Sequence, residues 1–496
     1  MDAPLDMHEA APSSRSLVLP LALGQFICSY AATNMNVAIS TIADDLHTSV
    51  FSIQTAITLF TLTMAALMIP GSKLTDILGR KRCFLAGLLI YGAGALLAAL
   101  APGIGLLTFG YAILEGVGSA LLIPPIYILV TVMFPDIKTR AKYFGVVSGA
   151  AGLGAAAGPL VGGVVTSAIS WRASFFLQVA VVASIIVLAR HLVEPPRTDR
   201  PPRFDLAGAI LSAAGLIFVV LGILQSRDYG WIVSRKDFKI GSTVLISKGS
   251  ISPVWLFVAV GAAFLVAFFV HIRKRERAGR DPLVSPAVFR NRVSNLGLST
   301  QTVQWLVMQG SFFVVSVYLQ QVWGYSAIKT GVVLIPATFG ILVASAAAER
   351  MAKRREQRSL IIAGFVATLA GLLLLLLLVR KDSNVATFIP GLLAVGLGVG
   401  IMLTASVNVV QSIWPAEQQG DISGVSRSVS NLGSSLGTAL AGSVLVGAAA
   451  LGNHSFGLAL ATMGGATALG LVAALLIPRN QVPGARLAAP QPGQRV

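Results

Sequence analysis

Charge is what this chain has least of. Asp, Glu, Lys and Arg make up 11% of its 496 residues, against about 25% in a soluble domain, which excludes an ordinary water-soluble fold. Carboxylates are scarcer than cations, 20 against 37. Cysteine is nearly absent. Cys28 and Cys83 fall in or beside separate apolar stretches with no Cys-x-x-Cys or metal spacing, so neither a disulfide framework nor a metal site is implied. His47, His191, His271 and His454 are scattered toward the ends of apolar runs. No nucleophile–base pair or phosphate-loop spacing accompanies them, which leaves no enzyme reading and no cofactor.

What remains is apolar. Hydrophobic residues are 55% of the chain and the mean hydropathy is +0.79. A helix needs about 20 apolar residues to cross a bilayer. Fourteen such segments can be placed, at 17–40, 51–70, 83–101, 105–133, 142–166, 173–192, 204–225, 253–272, 294–323, 329–348, 359–379, 387–410, 421–450 and 455–478. The expected fold is an all-α polytopic membrane protein with fourteen transmembrane helices. The 105–133 segment holds Pro124-Pro125, where a kink or break is expected. The N-terminus lacks a basic leader, and the first apolar run is too long for a signal peptide, so it is expected to stay as a span.

The net charge of +17 invites a nucleic-acid reading, but the cations gather on no single face or helix. They recur in alternate connections: Arg80, Lys81 and Arg82 after the second span; Lys138, Arg140 and Lys142 after the fourth; Arg197, Arg200 and Arg203 after the sixth; Arg273, Lys274, Arg275, Arg277 and Arg280 after the eighth; Lys353, Arg354, Arg355 and Arg358 after the tenth. That is the positive-inside pattern. It predicts a multi-pass protein of the inner (plasma) membrane with both termini cytoplasmic. One outside connection is long, 226–253. Within it Phe238 to Gly249 partly alternates, which fits a short β-hairpin or an irregular loop.

Internal similarity divides the chain. Gly145, Gly154, Gly158 and Gly163 in the fifth span match Gly424, Gly433, Gly437 and Gly442 in the thirteenth at one constant offset. Residues 344–355 read as a decayed copy of 71–82, with Glu349 falling on Asp76. The predicted organisation is a six-helix bundle over 1–192, an inserted pair with its outer loop over 193–293, a second six-helix bundle over 294–478, and a disordered cytoplasmic tail over 479–496. Two related halves around a central cavity is the plan of alternating-access transporters.

Between the second and third spans lies Gly71-Ser72-Lys73-Leu74-Thr75-Asp76-Ile77-Leu78-Gly79-Arg80-Lys81-Arg82. It resembles the loop between helices 2 and 3 of the major facilitator superfamily. Gly154 to Gly163, with Gly158, Pro159, Gly162 and Gly163, resembles the antiporter motif of helix 5 in that superfamily's exporters. Ser170-Trp171-Arg172 followed by Phe175-Phe176 is similar to the opening of helix 6, and Tyr318 to Ser326 followed by Gly331 and Pro336 to the start of the C-terminal half in the fourteen-helix drug:proton antiporter branch. The resemblance implies export of a small amphipathic drug, dye or metabolite, coupled to protons. It also implies a gating role for Gly71, Asp76, Gly79, Arg80, Lys81 and Arg82, with Asp76 latched to the N-terminus of the thirteenth helix near Asp421 to Gly424. It places the fifth helix against the thirteenth. Membrane lipid and a monomeric state complete the expectation. An uncoupled facilitator, an amphiphile or lipid transporter on the same fold, and a non-transporting sensor or scaffold are the alternatives.

The sequence departs from that branch where protons are concerned. Ala31 stands where the first helix usually carries Asp, and Ala112 and Glu115 stand where the fourth usually carries Arg and Gln. Glu115 lies about 15 Å into its helix at 1.5 Å per residue. An intramembrane carboxylate is a functional candidate by default, which makes Glu115 the proton-coupling candidate. A permanently protonated group bridging helices and a counter-charge for a cationic substrate are the other uses. Family architecture lines the cavity with the first and fourth helices of each half, which selects Asn34, Asn36, Tyr111, Glu115, Gln301, Gln304, Trp305, Gln309, Phe312 and Asn408. Apolar walls with a few polar groups suit an amphipathic molecule. Arg427 is read as a substrate contact or as a group at the cytoplasmic mouth.

Overall fold

Inside a bilayer no water is present to satisfy backbone N–H and C=O groups, so apolar segments of this length close their hydrogen bonds as helices. The computed structural model describes residues 14–134, 136–192, 203–240, 242–351, 355–380, 383–414, 418–447 and 454–479. Among those described residues twelve helices are long and apolar enough to cross a membrane, and fourteen if two bent pairs each count as one span. In chain order they are α1 (Ser14–Asn34), α2 (Val50–Leu78), α3 (Arg80–Ala99), α4 (Ile104–Val130), α5 (Ile137–Ala168), α6 (Trp171–Leu188), α7 (Leu206–Tyr229), α8 (Pro253–Arg277), α9 (Arg292–Gln321), α10 (Ala327–Val333 and Ile335–Met351), α11 (Gln357–Leu378), α12 (Phe388–Gln411), α13 (Gln419–Gly447) and α14 (His454–Leu475). Side-chain oxygens of Ser49, Ser170, Asp205, Ser252 and Asn291 accept from the first free N–H groups of α2, α6, α7, α8 and α9, as N-cap residues do. The expected 479–496 tail lies outside the described residues from 480 onward.

Packing repeats itself. α1 lies along α5, α4 packs on α2 and α3, and α3 packs on α6; α9 lies along α13, α12 packs on α10 and α11, and α11 packs on α14. The matched glycines explain the longest contacts. A Cβ at Gly154 or Gly158 would collide with Phe26 or Thr33 of α1, and one at Gly433 or Gly437 with Thr302 or Leu306 of α9. Absent side chains let the backbones approach closely.

The next glycine of each set meets the opposite half, and the contact is crosswise. A Cβ at Gly163 would lie 2.7 Å from the carbonyl oxygen of Ala327 on α10, and one at Gly442 would strike Gln54 of α2. The expectation that α5 faces α13 is therefore corrected. α5 meets α10 and α13 meets α2, because α10 is the repeat's equivalent of α2. Of the inserted pair, α7 leans on α2 and α13, and α8 packs on α7.

Three local features differ from expectation or refine it. The irregularity in α4 is a π-helical stretch, Thr108–Glu115, rather than a break at Pro124-Pro125. It lies where Gly110 and Gly94 bring α4 and α3 into backbone contact. The turn after α2 is only Gly79, at φ +105°, a conformation that side-chain-bearing residues avoid. The segment 71–78 is the last two turns of α2 rather than a loop. The outer connection, which starts at Gly230, does contain a hairpin, Phe238–Ile240 antiparallel to Thr243–Ile246.

Candidate functional site

The two halves touch at both ends of the seam between them. On the side carrying Arg80 to Arg82, here the basic side, the Ser72 hydroxyl donates to the Gly420 carbonyl at 3.3 Å. A Cβ on Gly424 would meet Ser72 at 3.1 Å. Asp76 pairs with Arg80 at 3.5 Å and faces the first turn of α13, its Oδ2 3.9 Å from the place a Cβ on Gly420 would take. That turn offers unsatisfied N–H groups and the positive end of the helix dipole. Gly71 lets α4 approach at Ala120. Lys81 donates to the Arg190 carbonyl at 3.3 Å, at the end of α6.

On the far side the seam is closed by α1 with α9 and by α5 with α10. Gln320 donates to the Asn36 carbonyl at 3.1 Å and accepts from the Ser40 N–H at 3.0 Å. The Ile328 N–H donates to Ser167 Oγ at 2.9 Å. A Cβ on Gly331 would lie 2.6 Å from the Pro159 carbonyl oxygen. Toward the basic side, Cβ atoms on Gly149 and Gly152 of α5 would meet nothing within 4 Å. Along α5, then, the glycine faces close at one end and stand in open space at the other.

The expected cavity residues are not gathered round one space. Gln309 reaches across the seam and donates to the Ala32 carbonyl at 3.1 Å. Asn34 turns to α6, donating to Ser174 Oγ at 3.1 Å. Asn36 is buried with both amide atoms unpartnered among the described residues. Gln301 accepts from Ser426 at 2.9 Å and Gln304 lies 3.1 Å from Ser406, both inside the second half. Phe312 is buried, Trp305 half-buried and Asn408 exposed. Tyr111 lies inside the first half, donating to the Ala31 carbonyl at 3.0 Å and stacking on Phe60 at 4.6 Å.

Glu115 lies inside the first half too. It is 0% exposed, and neither carboxyl oxygen has a hydrogen bond within ordinary limits among the described residues. Its neighbours are Tyr91 of α3 and Cys28 of α1. The Tyr91 hydroxyl in turn donates to Gln178 of α6 and sits 3.3 Å from the Ile27 carbonyl. A polar chain therefore runs from α4 through α3 to α6.

One cross-seam pair was not anticipated. Arg427 of α13 donates to the Tyr127 hydroxyl of α4, and its guanidinium stacks over that ring at 4.7 Å. Among the described residues it has no carboxylate within 4.0 Å. The signal in the sequence was a lone cation more than two turns inside a small-residue span. On the far side, Asp45 binds Arg172 at 2.5 Å and Trp171 Nε1 at 3.1 Å, and Arg172 also reaches the Ala101 carbonyl at 3.1 Å. Those hydrogen bonds, Arg172's foremost, hold the Asp45 carboxyl below the ordinary carboxylate range.

Two helix sets with one packing plan, joined by crossed contacts and split by a seam, define a multi-pass membrane transporter rather than an enzyme. The Major Facilitator Superfamily model matches residues 21–438, and the chain belongs to that family. It is 31% identical to the puromycin resistance protein pur8 of Streptomyces alboniger over 88% of this chain and 82% of that one. It is 30% identical to the probable actinorhodin transporter of Streptomyces coelicolor over 84% and 69%, and 28% identical to the multidrug efflux pump LfrA of Mycolicibacterium smegmatis over 86% and 79%. A crystal structure of a peptide transporter, POT, in complex with sulfate superposes with a TM-score of 0.64 at 16% identity, covering 93% of both chains. That likeness concerns the fold.

Proposed function

We propose that the protein exports small amphipathic compounds across the inner (plasma) membrane by rocking its two halves about the seam, with proton entry driving the cycle through Glu115. The division at 1–192, 193–293 and 294–478 is the mechanical one: two six-helix bodies and an inserted pair. The basic turns face the cytoplasm, both termini lie there, and one copy of the chain forms the pathway. The crossed glycine contacts are the observation that carries this reading. Gly163 on Ala327 and Gly442 on Gln54 are smooth bearings at equivalent places, while Gly149 and Gly152 stand clear on the basic side. Relatives named for puromycin resistance, actinorhodin transport and multidrug efflux support export of small drug-like compounds.

Glu115 suits coupling because it is sealed and its carboxyl oxygens have no partner within ordinary hydrogen-bond limits among the described residues. An ionised carboxylate is costly in that setting, so it trades a proton only when rocking admits water along Tyr91 and Gln178. Purified protein in liposomes tests the proposal. An imposed pH gradient should drive accumulation of a small amphipathic fluorescent compound, tried in anionic, neutral and cationic forms, and Glu115→Gln should abolish the gradient dependence while leaving counterflow. If Glu115→Gln transports uphill as wild type does, Glu115 is not the coupling group. If wild type itself shows counterflow without gradient dependence, the protein is an uncoupled facilitator. Ala31 and Ala112 in place of the branch's usual charges favour that second reading.

A further inference from the structure

Glu115 and Arg427 are the only Asp, Glu, Lys or Arg residues more than two turns from either end of a described spanning helix. Glu115 is enclosed by the first half, so Arg427 is the one such charge placed at the seam. Its direction follows from the contacts of its neighbours. Ser428 and Ser435 bond the Ala65 and Thr58 carbonyls of α2, which defines one face of α13. Ser426 bonds Gln301, and Gly433 and Gly437 touch Thr302 and Leu306 of α9, which defines a second. Ile422 and Val425 join an apolar cluster with Phe268, Ile272 and Leu283, which defines a third. At 100° per residue Arg427 falls on the remaining face, toward the first half, where it meets Tyr127. Ser423, Asn431 and Ser434 share that stripe at helical spacing.

We propose that Arg427 is an anion anchor in the transport pathway, and that the substrate class is an amphipathic organic anion, an aromatic body carrying a carboxylate. This rests on the transporter reading given above. Arg427 spends one of its five N–H donors on Tyr127, and with no carboxylate within 4.0 Å among the described residues its bidentate edge is free for one. A head group merely reaching for water is a poor account. Arg427 lies about 12 Å from the start of α13, and Tyr127 about 9 Å from Met133, where helical structure beyond Val130 ends, at 1.5 Å per residue, and the guanidinium is held over the ring at that depth. The ring supplies a flat apolar wall beside the charge, which matches an aromatic carboxylate.

The test uses purified full-length protein in phosphatidylcholine nanodiscs and three probes with one body: pyrenebutyrate, pyrenebutanol and pyrenebutyl-trimethylammonium. Binding is read by energy transfer from tryptophan. Pyrenebutyrate should bind roughly tenfold or more tightly than pyrenebutanol, the effect of one charge-assisted pair. Arg427→Gln should erase that ratio while leaving pyrenebutanol affinity within about twofold, and Arg427→Lys should restore part of it. Tyr127→Phe should keep the preference. Equal binding of the three probes, tighter binding of the ammonium probe, or an unchanged ratio in Arg427→Gln overturns the proposal and leaves export itself standing. Loss of the preference when phosphatidylglycerol is added to the discs would assign the anchor to a lipid head group and overturn it as well. If none of the probes binds saturably, the pathway reading fails together with the anchor.

Discussion

Asp205 Oδ1 lies 2.9 Å from His271 Nε2, tying the start of α7 to the end of α8. The same carboxylate accepts from Gly208 at 3.0 Å and from the Leu283 N–H at 3.2 Å, and stands 3.6 Å from Arg275. Two residues beyond Leu283, the Ser285 N–H donates to Asp421 at 2.9 Å in the first turn of α13. The inserted pair is thus fastened through one short connection to the same turn that Asp76 faces.

Burial pushes the Asp205 carboxyl up, but the hydrogen bonds from His271 and Gly208 outweigh it and hold the group below the ordinary carboxylate range. A depressed folded value means stability that is present above about pH 4, the unfolded value, and lost as pH falls through the folded value. Asp205→Asn should therefore lower the melting temperature at pH 7, with a cost on the order of 2 kcal/mol for hydrogen bonds to a charged acceptor. The difference between wild type and variant should shrink in acid. An equal difference at pH 7 and below pH 4 would show that charge is not what the clasp uses.

The crossed contact of α5 makes a sharp prediction. A Cβ on residue 163 would lie 3.4 Å from the Cα of Ile328, within reach of disulfide geometry. Gly163→Cys with Ile328→Cys should cross-link under mild oxidation, and transport should stop and recover on reduction. Cys28 and Cys83 are buried and should not interfere. Gly163→Cys with Gly442→Cys, the pairing that α5 against α13 would require, should give no cross-link.

The class of fold was legible because a spanning helix leaves a long apolar run and a repeat leaves matched glycines at one offset. Gly154 and Gly158 could be read as packing positions, but their partners could not, since contact between halves imposes no period on either helix. Glu115 was legible as a residue and not as a direction. The π-helical stretch Thr108–Glu115 takes more residues per turn than an α-helix, so an α-helical wheel misplaces everything beyond it. Arg427 is the converse. α13 is a regular helix there, but its seam face is defined only once Ser428, Gly433 and Val425 have found α2, α9 and the inserted pair. The Asp205 clasp left only an N-cap Asp as its mark, because its other partners, His271 and Leu283, come from segments far apart in sequence.

Asp76 against the first turn of α13 should act as a latch on the basic side. A carboxylate near a helix N-terminus contributes typically 0.3–1 kcal/mol, so Asp76→Asn should shift the balance toward a basic-side-open state by up to about fivefold. Spin labels at the exposed positions Leu78 and Arg355 report the separation of the halves on that side. The longer-distance population should grow in Asp76→Asn and return in Asp76→Glu. An unchanged distance distribution would mean that Arg80, at 3.5 Å, uses the carboxylate for the turn alone.

The far side rests on Gln320 in the same way. Its side chain makes two hydrogen bonds across the seam, to the Asn36 carbonyl and from the Ser40 N–H, and is 7% exposed. Gln320→Ala removes both. At about 1 kcal/mol each, the closed state loses about 2 kcal/mol relative to one open on the far side, a shift of roughly thirtyfold. Asn36 is 1% exposed in the closed arrangement, so Asn36→Cys should react slowly with a membrane-impermeant maleimide applied from that side. In the Gln320→Ala background the same cysteine should react many times faster, while a basic-side reagent should label Asn408→Cys more slowly as the opposite mouth closes. Opposite changes at the two positions require that the ends of the seam be coupled. Faster labelling at Asn36→Cys with no change at Asn408→Cys would reduce Gln320 to a local plug and remove the far-side gate from the transport cycle.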